Sequence, residues 1–173
     1  MKTVLSIAGT DPTGGAGIQT DLKTIEAHGL YGMAAITVVI AQNTTGVFGM
    51  QAVSPELVAQ QIDCVFEDIR PDAVKLGMLY SADIIHAVAD RLRAHHAKNV
   101  VLDPVMISSS GHALSKPDAM QALQEEIFPL CTLVTPNLHE TAAFCGRSVQ
   151  TRAEMEQAAQ EIAAKTGGGV LVK

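Results

Sequence analysis

Three oxygen-bearing side chains raise the first chemical question. Asp103 follows the apolar run "NVVL" and precedes Pro104. A carboxylate at the carboxyl end of a strand is placed to hold Mg²⁺ through water, although turn and N-cap aspartates occupy such positions too. Asn137 and Glu140, in "TPNLHE", are spaced i and i+3 and share one face of a helix start. The same spacing serves a helix cap with an acidic first turn. Convergence of these two on Asp103 would favour a Mg²⁺–phosphate site. Lys173 reads as a phosphate ligand or a surface residue.

A second group of residues suits a ring rather than a phosphate. Gln42 and Asn43 close an otherwise apolar run, "MAAITVVIAQN". A primary amide offers a donor and an acceptor side by side, which fits an aminopyrimidine edge as it fits adenine. It could equally bridge backbone groups in the turn before Gly46. The stretch "AGTDPTGGAGIQTDLKT", residues 8–24, brings four glycines to a strand-to-helix junction. A phosphate, a flat ring or a tight turn would each need a backbone stripped of side chains there. Gly9 and Gly14 have Walker A spacing, but Gly15 stands where that motif needs lysine, and no G-x-G-x-x-G is present. An anion at the helix N-terminus stays open as a reading. Asp21 falls one turn into the helix, on a different face from Ile18 and Ile25. His95 and His96 are adjacent and so diverge, which reads as a solvated helix end rather than a metal site.

These residues need elements behind them. "TVLSIA", "MAAITVVIAQ", "DAVKLG", "NVVLD", "CTLVT" and "GGVLVK" read as six strands. Between them, Ile18, Leu22 and Ile25, then Val58, Ile62, Val65, Phe66 and Ile69, recur at helical spacing. "ADIIHAVADRLRAHH" is a third amphipathic helix with Ser81 as N-cap, and "DAMQALQEEIF" a fourth. A helix over 151–166 turns Met155, Ala159, Ile162 and Ala163 inward. Apolar strands alternating with helices imply parallel pairing with both faces covered, a three-layer α/β/α sheet. Ligands of such sheets sit beyond the carboxyl ends of the strands. The glycine stretch, "AQNTTG", "GML", "DPVMISSSG" and "TPNLHE" all lie there.

The chain has 173 residues, 47% hydrophobic and 17% charged, with a formal net charge of −6. It reads as a folded protein of one domain, 1–173. The absence of a basic stripe argues against nucleic-acid and anionic-membrane partners. Three cysteines without C-x-x-C spacing fit a reducing, cytoplasmic setting rather than disulfides or zinc. The apolar run after Lys2 stops at Gly9, short for a signal peptide. The last strand has no helix after it, so the sequence reads as cut short.

"SIAGTDPTGGAGIQTDLKT", "YGMAAITVVIAQNTTGV", "KLGML", "VVLDPVM" and "TPNLHE" together closely resemble the hydroxymethylpyrimidine/phosphomethylpyrimidine kinase family, the thiamine-pathway branch of the ribokinase-like superfamily. The resemblance runs over the whole chain, and its first block is the most specific. It implies a ribokinase-like fold, incomplete at the C-terminus and comprising the larger, N-terminal part of the family's length. It implies ATP-dependent phosphorylation of 4-amino-5-hydroxymethyl-2-methylpyrimidine and then of its monophosphate. Gly9, Ala16, Asp21, Gln42, Met78 and Val105 would line the pyrimidine pocket. Asp21 would accept from the exocyclic amine, Gln42 would pair with the amine and ring edge, and Met78 and Val105 would cover the ring faces. Asp103 and Glu140 would hold Mg²⁺, while Asn137 and Lys173 would face the nucleotide phosphates. A homodimer is implied for the full-length family.

Family chains continue beyond Lys173 with a "GTGC" anion hole, a cysteine near the reacting hydroxyl and much of the adenine pocket. No catalytic residue is therefore assigned within these 173 residues, and little activity is expected of the chain alone. Pyridoxal or pyridoxine kinase activity and a non-catalytic pyrimidine-binding fragment are the alternatives.

Overall fold

The computed structural model describes residues 1–106 and 118–173. The polar stretch 107–111, expected at the site's edge, lies outside the described residues. In chain order the elements are β1 (Thr3–Ala8), α1 (Gly17–Ala27), β2 (Tyr31–Ile36), β3 (Val38–Asn43), β4 (Gly46–Ala52), α2 (Pro55–Asp68), β5 (Ala73–Leu76), α3 (Ala82–Ala94) and β6 (Val100–Leu102). Then come α4 (Ala119–Ala122), β7 (Leu133–Val134), α5 (Leu138–Cys145), α6 (Arg152–Ala163) and β8 (Gly169–Val170).

The central sheet has the order β2-β1-β5-β6-β7-β8, with every pair parallel. Leu5, Ser6, Ile7 and Ala8 are consecutive and all buried, which only a sheet covered on both faces produces. The core joins Leu5, Ile7, Val74, Leu76, Val100 and Leu102 of the strands to Val58, Ile62 and Phe66 of α2 and to Ile84, Ile85, Val88 and Leu92 of α3. Phe144 of α5 and Ile162 of α6 belong to the same cluster. The layered, mostly parallel α/β/α expectation holds. Ser81 caps α3 as expected, accepting from the Ile84 N–H at 3.5 Å.

The run "MAAITVVIAQ" is not one strand. It divides at Thr37 into β2, inside the sheet, and β3, which leaves it and pairs antiparallel with β4 as a separate two-stranded ribbon. Thr37 is wholly buried at this fork. Its N–H donates to Ala8 O, its carbonyl accepts from Val53 N–H, and its hydroxyl donates to Met78 O at 2.7 Å. Buried backbone groups need partners, and at Thr37 they come from three other segments.

Other local readings also change. "DAMQALQEEIF" forms α4, then a π-helical turn over Leu123–Ile127 and a 3₁₀ turn over Phe128–Leu130. The wider turn lets Leu123, Ile127 and Phe128 all reach the core before Pro129, which has no N–H to continue a helix. In α6 the fully buried contacts are Ala158 and Ile162, with Met155, Ala159 and Ala163 half-buried. Ile69 is exposed because α2 ends at Asp68 and the backbone at Ile69 leaves helical geometry, with φ −115° and ψ 86°. His95 is not a solvated end. Its Nε2 lies 2.6 Å from Asp63 Oδ1 and its ring stacks on Phe66 at 4.7 Å.

Candidate functional site

The glycine-rich junction between β1 and α1 is organised by Asp11, a buried carboxylate. It accepts from the N–H groups of Thr13, Gly15 and Ala16 at 2.9, 3.1 and 2.8 Å, and from the Thr13 hydroxyl. Burial pushes its pKa up, but these hydrogen bonds outweigh it and hold the carboxyl below the ordinary 3.8. The N–H groups of Gly15 and Ala16, just ahead of α1, thus already face a carboxylate of the chain itself. Two of the donors that an anion at this end would use are already taken. Gly17 is required for space. Its φ is +57°, and a Cβ there would stand 2.5 Å from Gly9 O. The close approach brings Gly9 O within 3.0 Å of the Ile18 N–H and fixes the helix against the strand end.

Beyond this junction lies a cavity of about 260 Å³. Gly9, Ala16, Asp21, Gln42, Met78 and Val105, the six residues expected around a pyrimidine, all line it, and Asp103 stands at its edge. The volume is near the lower end of ligand pockets, ~300–1,000 Å³, which suits one ring. Val38, Ile40 and Met78 form a small buried cluster with Val105 against it. A Cβ on Gly9 would stand in ordinary contact with Ile40 Cδ1 at 3.4 Å and Met78 Sδ at 3.5 Å.

The polar groups come from four elements, β3, α1, β1 and β5. Gln42 sits on β3 at a register shift between Ala41 and Gln42, and such bulges re-aim side chains. Asn43 is a turn amide: its Oδ1 accepts from Thr45 N–H at 2.9 Å and from the Thr45 hydroxyl at 2.6 Å. Asp21 on α1 is held from below. Ser6 Oγ donates to its Oδ2 at 2.6 Å and Lys75 Nζ does so at 2.8 Å. Ser6 and Lys75 are register partners on β1 and β5. Among the described residues, Asp21 Oδ1 has no hydrogen-bond partner in the chain.

The second group of predicted residues lies at the ends of β6 and β7. Asp103 Oδ1 accepts from Lys173 Nζ at 2.6 Å. Asn137 and Glu140 form a capping box: Asn137 Oδ1 accepts from Glu140 N–H at 2.9 Å and Glu140 Oε2 from Asn137 N–H at 2.8 Å. Burial pushes the Glu140 carboxyl above its ordinary 4.5 and the nearby Asp103 charge adds to that. The Asn137 and Met106 N–H groups and Lys173 act the other way. Among the described residues no group of three or more His, Cys, Asp or Glu gathers as a metal site. The hard oxygens here suit Mg²⁺ chemically, but Asp103 already faces an ammonium and Glu140 faces backbone donors. Such a donor set fits an ion arriving with its own phosphate and water ligands better than a resident one.

Asp11, Ser6, Lys75 and Thr37 escaped the sequence reading. Two carried a signal: Ser6 in "TVLSIA" and Lys75 in "DAVKLG" are lone polar residues in strands that must be buried. Among the described residues no helix is long and apolar enough to cross a membrane.

Comparison with known proteins adds a family. A model described as phosphomethylpyrimidine kinase matches residues 11–173. The chain is 51% identical over 156 residues to a hydroxymethylpyrimidine/phosphomethylpyrimidine kinase of Salmonella typhimurium, covering 90% of this chain and 58% of the relative. It is 50% identical over 170 residues to the enzyme of that name from Rhizobium meliloti, covering 98% and 64%. It thus spans about three fifths of the length of these relatives. The crystal structure of a phosphomethylpyrimidine kinase from Clostridium difficile superposes with a TM-score of 0.94 at 43% identity, covering 100% of this chain and 75% of that one. A pyridoxal kinase from Staphylococcus aureus in complex with pyridoxal gives a TM-score of 0.90 at 32% identity, covering 100% and 64%.

Proposed function

The chain belongs to the phosphomethylpyrimidine kinase family, and from that premise we propose that it binds 4-amino-5-hydroxymethyl-2-methylpyrimidine and its monophosphate for phosphorylation by ATP in thiamine diphosphate biosynthesis. The observation that carries the reading is the cavity of single-ring size lined by all six expected residues, among them Asp21, whose Oδ1 has no hydrogen-bond partner among the described residues. Asp21 Oδ1 accepts from the exocyclic amine, and the Gln42 amide pairs with the amine and ring edge. Met78 and Val105 cover the ring faces, and Gly9 and Ala16 present backbone to its rim.

The hydroxymethyl group then points toward Asp103. The hydroxyl oxygen attacks the γ-phosphorus of ATP, the bond to the β-phosphate oxygen breaks, and the hydroxyl proton is released. Such transfer rests on positioning and on charge stabilisation. In this reading Asp103 and Glu140 would hold a Mg²⁺ arriving with ATP, which would offset charge on the phosphates, and Asn137 and Lys173 would face those phosphates. The proposal extends to a single domain over 1–173, a cytoplasmic setting and a homodimer in the full-length family. Three free cysteines and the net charge of −6 support an intracellular protein that takes neither nucleic acid nor membrane as partner.

Calorimetry with the aminopyrimidine tests this. The chain should bind it, and Gln42→Ala should weaken binding about tenfold to a hundredfold through lost hydrogen bonds in a desolvated pocket. The thermal melt should not move. Equal affinity in parent and variant would remove Gln42 from ring recognition. The likeness to a pyridoxal-bound kinase favours pyridoxal as the second candidate. Tighter binding of pyridoxal than of the aminopyrimidine would exchange the two readings.

A further inference from the structure

Lys75 is the unexpected charge beside the cavity. It rises from a strand whose neighbours Val74 and Leu76 are buried, and its side chain is only 26% exposed. Half-buried ammonium and carboxylate groups need partners, and Lys75 finds Asp21. Lys75 and Ser6 both donate to the same oxygen, Oδ2, from adjacent strands in register. The last torsion of an aspartate is soft and nearly two-fold, so an unanchored carboxylate can exchange its oxygens. Two donors converging on one of them remove that freedom. Gly77 keeps the path open for the lysine, since a Cβ there would lie 2.9 Å from both Lys75 Nζ and Ala8 Cβ.

We propose that Lys75, assisted by Ser6, is a positioning residue that fixes the Asp21 carboxylate with Oδ1 toward the cavity, and thereby sets the preference for a ring bearing an exocyclic amine. The pair also limits Asp21 to one acceptor oxygen. Asp21 therefore accepts a single N–H from a neutral ring and does not form a two-point pair with a cationic one. The inference rests on the pyrimidine-binding reading above and adds what enforces its selectivity.

The test compares two probes by calorimetry: 4-amino-5-hydroxymethyl-2-methylpyrimidine and the same ring with hydrogen in place of the amine. The parent chain should prefer the amine by about tenfold to a hundredfold, as expected for one hydrogen bond to a charged acceptor. In Lys75→Met that ratio should fall to the smaller preference that Gln42 alone supports, with most of the loss in the amine-bearing probe. In Asp21→Asn the further change Lys75→Met should leave the ratio where Asp21→Asn put it, because the lysine acts through the aspartate. Ser6→Ala, which keeps the ion pair, should lower the ratio by a smaller factor and decides the matter if Lys75→Met does not fold. A purely structural role would weaken both probes equally. An undiminished ratio in Lys75→Met, or in Ser6→Ala where that variant decides, overturns the proposal. So does an additive effect in the Asp21→Asn background. Failure of the parent to bind either probe overturns the pyrimidine reading itself, and the proposal with it.

Discussion

The ends of β1 and β5 and the ends of β6 and β7 hold carboxylates of equal chemical promise in opposite states. At the first, Asp11 holds the loop N–H groups, Ser6 and Lys75 hold Asp21 Oδ2, and Asp21 Oδ1 has no hydrogen-bond partner among the described residues. At the second, Glu140 is held by backbone N–H groups and Asp103 by Lys173. A ligand entering the first region completes an arrangement already made. A ligand entering the second must displace or share partners, which suits a charged phosphate bringing its own cation. The two regions therefore differ in how fully their carboxylates are already partnered, and each can be disturbed separately.

The largest expected effect breaks the first region. Gly17→Ala should cost about 1–3 kcal/mol from its backbone conformation alone, and the contact with Gly9 O adds to it. A fall in Tm of about 5–10 °C follows, with aminopyrimidine binding lost. Gly29→Ala is the control. Its φ is +71°, but a Cβ there meets nothing within 4 Å, so only the conformational part should appear in the melt.

Asp11 and Glu140 sharpen the contrast by pH. The lowered pKa of Asp11 contributes stability that is present above 3.8 and lost as pH falls through the folded value. Asp11→Asn should destabilise by about 1–2 kcal/mol at neutral pH through weakened hydrogen bonds. The gap to the parent should close on acidification, and a pH-independent gap in chemical denaturation would show that the charge is not what the loop uses.

Glu140 has the opposite sign. Its raised pKa means that its contribution is fully present below 4.5 and is lost as pH rises through the folded value. Glu140→Gln keeps a residue that can close the capping box, so it should be at least as stable as the parent at neutral pH. That advantage should vanish toward pH 4.5. In a version extended to the family's full length, MgATP use should fall more than aminopyrimidine binding, and unchanged turnover at saturating Mg²⁺ would leave Glu140 as a cap alone. Lys173→Ala should be the mildest, about 0.2–1 kcal/mol for a largely exposed pair, measured by denaturant midpoint.

The helices were legible where their signals were local. Ser81 lies three residues from the N–H it caps, and the Asn137–Glu140 spacing forms the capping box that it could form. The run "MAAITVVIAQ" was misread because an apolar strand looks the same inside a parallel sheet and in a ribbon beside it. Its division is decided at Thr37 by contacts with Ala8, Met78 and Val53. β4 was missed for a related reason: "GVFGMQA" carries exposed Phe48 and Met50, and a ribbon outside the core does not bury an alternating face.

By itself the sequence determined the alternation of strands and helices, and hence which segments gather beyond the strand ends, because hydrophobic period and capping act over a few residues. The tertiary structure alone decided which carboxylate stays open to a ligand. Asp21 meets Ser6 fifteen positions away and Lys75 fifty-four away, and Asp103 meets Lys173 seventy away. Each carboxylate oxygen accepts only a few hydrogen bonds, and which donors reach it depends on strand order and register, which no short window of sequence contains.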